Sequence, residues 1–183
     1  MTTLSLALSN DRRFALLGTL GFTIALAAGA QIAIPLPGTP VPITMQPMIV
    51  VLAGMMLGPT LGAASMALYL AAGAIGLPVF SPFGAPGIAR LLGPTGGYLI
   101  AFPAAAGVAG YLGRRFPALV GRGIAAALGI AMLFVGGITQ LTILTGSLGL
   151  AIAQGITPFA AFDVLKALVA ALIARPRARH PRG

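Results

Sequence analysis

The chain is 183 residues long, 58% hydrophobic and only 7% charged, with a formal net charge of +9 and no cysteine. Soluble domains carry about 25% charged residues, so this composition describes an integral membrane protein and excludes disulfide and thiol chemistry. The positive charge is not a nucleic-acid footprint, because the arginines stand in short clusters beside apolar runs, where they set membrane orientation.

At about 20 residues per span, the length accommodates six transmembrane helices in a single domain. No ten-residue alternation of apolar and polar positions suggests a membrane β-barrel. Residues 1–13 read as a short polar leader ending in Asp11-Arg12-Arg13. The first apolar run, Phe14 to Ile34, is longer than the roughly 7–15 residues of a signal-peptide core and reads as an uncleaved span. Within it Gly21, Ala25, Gly29 and Ala33 recur every fourth residue, a small-residue face that lets another helix approach closely in lipid. That helix belongs either to this chain or to a partner.

Pro35-Leu36-Pro37-Gly38-Thr39-Pro40-Val41-Pro42 cannot continue a helix and predicts an extended connection. A second helix is expected over 45–57, broken by Gly58-Pro59, and a third over 60–76. The connection 77–97 is rich in Pro and Gly yet strongly apolar. Non-helical backbone at a membrane must be buried in protein or line a cavity, so this stretch predicts a lid. A fourth helix is expected over 98–112, a fifth over 123–145, a Gly-rich link over 146–157 and a sixth helix over 158–174. The tail 175–183 is basic, and its His180, the single histidine, has no partner ligands for a metal.

With six spans, Arg12 and Arg13, then Arg114, Arg115 and Arg122, then Arg175, Arg177, Arg179 and Arg182 share one side, and Arg90 alone lies opposite. The positive-inside rule places both termini in the cytoplasm and the connections 35–44, 77–97 and 146–157 outside.

The sixth segment carries Asp163 and Lys166, the only lysine and one of two acidic residues. Charge in such a segment costs roughly 2.5–3.5 kcal/mol on insertion scales at a helix centre, and residues three apart share a face. The pair is either a structural ion pair or a binding site beneath the outer loops, near Arg90. No phosphate-binding loop is present, so the chain is not its own ATPase. No hydrolase or metalloprotease motif occurs, which disfavours a membrane-embedded enzyme. Lysine and arginine suit a ligand carboxylate, while Asp163 suits ligand N–H groups. These residues describe capture of a small, partly apolar organic anion.

Several stretches carry a resemblance across nearly the whole chain. They are Gly29-Ala30-Gln31-Ile32-Ala33-Ile34-Pro35-Leu36-Pro37, Val41-Pro42-Ile43-Thr44-Met45-Gln46, Leu52 to Pro59, Tyr69-Leu70, and Gly76-Leu77-Pro78-Val79-Phe80. Leu92-Gly93-Pro94-Thr95-Gly96-Gly97-Tyr98-Leu99 and Pro158-Phe159 with Asp163 and Lys166 complete the set. In order and spacing the sequence resembles the biotin-specific substrate-binding (S) components of energy-coupling factor (ECF) transporters. It departs at Ser81-Pro82-Phe83-Gly84-Ala85-Pro86-Gly87, where relatives are richer in glycine.

The resemblance implies six helices, biotin taken up through the cytoplasmic membrane, a transmembrane coupling subunit, and ABC-type ATPase subunits that supply ATP hydrolysis. No cofactor and no metal are expected in this chain. Asp163 and Lys166 match the family's binding residues, with Arg90, Tyr98 and Gln46 as further substrate-binding candidates. The face of Gly21, Ala25, Gly29 and Ala33 resembles the surface by which S components dock on the coupling subunit. An S component or stand-alone facilitator for another carboxylated vitamin-like solute is the alternative.

Overall fold

The computed structural model describes residues 2–174, with side chains from Arg12 onward. The basic tail, including His180, lies outside the described residues. Helix α1 covers Thr2–Gln31, and the strands β1 (Ala33–Ile34) and β2 (Ile43–Thr44) form a short antiparallel hairpin. Then follow α2 (Gln46–Leu57), α3 (Pro59–Ala74), α4 (Ile88–Leu92), α5 (Gly96–Arg115), α6 (Leu119–Thr145), α7 (Leu148–Gly155) and α8 (Ala160–Ile173).

All six expected apolar segments are helical. By length and composition, Arg12–Gln31 of α1, α5 and α6 can each cross a membrane, and α7 with α8 forms a further candidate bent by 53°. Helix α2 has 12 residues and α3 has 16, short of the about 20 that a full span needs. Three expectations are corrected. The leader 2–13 continues α1 rather than standing apart. The connection 77–97 contains α4, and the Gly-rich link 146–157 is largely the helix α7, whose start is capped by Ser147 accepting from Leu150 N at 3.3 Å.

In lipid, helices gain little from hiding apolar surface from one another, so close packing depends on small residues. A Cβ on Gly54 of α2 would run into the Ala106 carbonyl of α5, and one on Gly97 of α5 into the Gly136 carbonyl of α6. The backbones meet at these glycines. Around them Leu26, Val50, Met66, Tyr69 and Ala105 fill one buried cluster, and Val51, Ala126, Ile130, Ala167 and Ala170 fill another.

The two ends of the bundle differ in kind. At one end Arg114 Nη2 donates to Leu57 O at 2.8 Å, and Arg122 Nη1 donates to Ala174 O at 2.6 Å. Each arginine satisfies a carbonyl at the C-terminal end of another helix and complements its dipole. This end therefore gathers the α2–α3 turn, the α5–α6 turn with its Arg114, Arg115 and Arg122, and the end of α8. At the other end lie the hairpin, the 75–95 connection and α7. There Gln31 Nε2 donates to Phe80 O at 3.1 Å, and Gln140 Nε2 to Gly93 O at 2.7 Å.

Candidate ligand site

The loop-rich end of the bundle holds a partly open cavity. Its walls come from the β2 hairpin, the N-terminal turns of α2 and α5, the middle of α6 and the start of α8. Gln46, Arg90, Tyr98, Asp163 and Lys166 all line it, although 120 positions separate the first from the last. Leu133, Phe80, Phe102, Phe134 and Phe159 supply the apolar surface between them.

Helix α8 aims the charged pair. Phe159, Asp163 and Lys166 follow at intervals of four and three, so one stripe of the helix faces the cavity. Lys166 Nζ donates to Asp163 Oδ1 at 2.7 Å, and the two side chains are 11% and 8% exposed. The pair is an ion pair and a cavity wall at once.

Arg90 belongs to α4 and lines the cavity, with hydrogen-bond partners that the sequence does not reveal. Its residue is only 6% exposed, with Nη2 donating to Ser81 O at 2.6 Å and Nη1 to Phe83 O. Both terminal nitrogens thus hold backbone carbonyls of the 81–83 connection, and Nε is buried without a partner. Burial pulls the guanidinium below its ordinary pKa. Gly84, at φ +110°, packs against Nη1, and a Cβ there would sit 2.6 Å from that nitrogen. Arg90 is a strut for the covering loop before it is a free cation.

Tyr98 stands at the start of α5, with Oη donating to Gly155 O at 2.7 Å and its ring edge-on to Phe134. Thr39 Oγ1 donates to Gln154 O at 2.7 Å from the proline-rich connection. These two bonds tie the end of α7 to the start of α5 and to the proline-rich connection. Gln46 is 6% exposed, and its Nε2 donates to Tyr69 Oη at 2.8 Å. The aromatic lining is partly visible in sequence, where Thr95, Tyr98 and Phe102 share one helical face. Tyr69 is not part of the lining; it is fully buried, and its bonds join segments distant in the chain.

The small-residue face on α1 is not one continuous surface. Ala33 lies beyond the helix in β1, where the prolines that follow draw the chain into an extended path. Gly29 is buried against Ile49 of α2, while Gly21 has open space around it and Ala25 is half-buried. Gly29 therefore serves packing within the chain.

A profile of the BioY family matches residues 5–182. A probable biotin transporter BioY of Pyrococcus horikoshii is 41% identical over 153 residues, covering 84% of this chain and 89% of that protein. The biotin transporter BioY of Rhodobacter capsulatus is 37% identical over 183 residues, covering 93% and 95% respectively. Among solved structures, the S component for biotin from an ECF-type ABC transporter superposes with a TM-score of 0.84 at 28% identity. That match covers 96% of this chain and 93% of the other. The helical order, the loop-capped cavity and these matches agree, and the chain belongs to the BioY family.

Proposed function

We propose that this protein captures biotin from outside the cell and carries it across the cytoplasmic membrane as the S component of an ECF-type transporter. The observation that carries this reading is the convergence of five polar side chains from four helices on one apolar-walled cavity. Biotin is a bicyclic urea on a thioether ring with a short carboxylate chain. Asp163 suits a urea N–H group as acceptor, and Lys166 and Arg90 are the cations that line the same cavity. The aromatic and aliphatic walls cover the apolar body. Relatives named as biotin transporters, and a neighbour described as an S component for biotin, support the same ligand.

The chain performs transport and not catalysis. With no phosphate-binding loop, the energy comes from partner subunits: a transmembrane coupling subunit and ABC-type ATPases. All six apolar helices cross the bilayer in this reading, with the bent α7–α8 pair as one crossing. The arginine-rich end faces the cytoplasm. A reporter fused after residue 118 then reads cytoplasmic, and one inserted at 84–90 reads external; the reverse would move the cavity to the inner side. Uptake of labelled biotin by biotin-requiring cells expressing the chain tests the function, and uptake no higher than in cells with an empty vector contradicts it.

A further inference from the structure

Tyr69 of α3 is fully buried behind the cavity wall. Its hydroxyl lies 3.1 Å from Val79 O and 2.8 Å from Gln46 Nε2. A carbonyl oxygen can only accept, so the single hydroxyl proton points at Val79. Only lone pairs remain for Gln46, and the group it presents must be its NH2. This chain of bonds fixes the amide orientation independently of any assignment of nitrogen and oxygen. Among the described residues no group bonds to the other amide atom, Oε1, and it is not among the buried atoms without partners. Gln46 is otherwise almost enclosed and lines the cavity, so Oε1 reaches open space through the cavity.

We propose that Tyr69 is a positioning residue that locks Gln46 as a hydrogen-bond acceptor, selecting a ligand N–H group at the α2 wall of the cavity. The same tyrosine ring packs edge-on against Phe80 at 5.4 Å and stacks on Phe102 at 6.2 Å, and both phenylalanines line the cavity. One side chain therefore sets a polar and an apolar part of the wall. An unlocked amide would turn its NH2 toward the cavity and donate to a ligand carbonyl equally well. The locked one refuses it, because two facing acceptors leave a buried group unpaired. Selectivity at this wall is thus for a donor-bearing group such as a urea or amide N–H.

The inference rests on the biotin reading and deepens it. The test measures affinities of purified protein in detergent for biotin and for its two mono-N-methyl derivatives, each lacking one urea N–H. Wild type is expected to prefer biotin over one derivative through Gln46. Tyr69→Phe keeps the ring contacts and should narrow that one preference by roughly two- to tenfold, the scale of one hydrogen bond. The preference over the other derivative should hold. Gln46→Leu should narrow the same preference, and it carries the test if Tyr69→Phe melts before it can be assayed. A merely structural role for Tyr69 lowers all three affinities by one common factor, and that result overturns the proposal. Wild-type protein that fails to bind biotin at all overturns the biotin reading, and this inference with it.

Discussion

Lys166 Nζ lies 2.7 Å from Asp163 Oδ1, one helical turn away, and both side chains line the cavity. This placement sharpens the choice between a stitch and a binding site, since neutralisation alone needs no cavity. Truncating either partner leaves the other buried and unpaired, at about 1–3 kcal/mol and more for a charge. Asp163→Ala and Lys166→Met should each weaken biotin binding by roughly ten- to a hundredfold, at about 1.4 kcal/mol per tenfold. Asp163→Asn keeps an acceptor and should cost less than Asp163→Ala. The double variant Asp163→Asn with Lys166→Met should remain a weak binder even where its melting temperature recovers. Near-wild-type affinity in the double variant would show that the two residues merely neutralise each other.

Arg90 holds the 81–83 connection by two backbone carbonyls, and this predicts a loop effect separable from ligand contact. Arg90→Met keeps the aliphatic stem and removes both donors. Amide exchange across residues 81–87 should then speed up in the ligand-free protein, while α5 and α6 keep their protection. Exchange in that segment indistinguishable from wild type would remove Arg90 from its role as a strut.

On α1, Gly29 and Gly21 differ in what surrounds them, although they are alike in the sequence pattern. Gly29→Leu drives a side chain into Ile49 and should cost about 1–3 kcal/mol of stability, read as a lower melting temperature in detergent. Gly21→Leu meets open space and should leave melting and biotin binding near wild type. If the exposed part of α1 docks the coupling subunit, Gly21→Leu should reduce uptake driven by the partner subunits. Full uptake by a well-expressed Gly21→Leu protein would place docking elsewhere.

Much of the site can be read from the sequence because charge is so scarce in it. Asp163, Lys166 and Arg90 stand out in a chain with 7% charged residues, and each does line the cavity. What Arg90 touches is not readable, since its carbonyl partners depend on how the 77–97 connection folds back. Tyr69 is hidden for a related reason: its two hydrogen bonds reach 23 residues back to Gln46 and 10 forward to Val79. Helix α7 is masked by local composition. Glycines at 146, 149 and 155 argue against a helix, and tertiary bonds from Thr39 and Tyr98 hold its end. The five-residue α4 is too short for hydrophobic periodicity to reveal.

The most direct measurement is binding of labelled biotin to the purified protein in detergent, challenged with unlabelled biotin and with an excess of other carboxylated vitamins. Saturable binding that unlabelled biotin displaces and the other vitamins do not is the predicted result. Absence of saturable biotin binding by well-folded protein, or equal displacement by an unrelated carboxylated vitamin, would contradict biotin as the ligand.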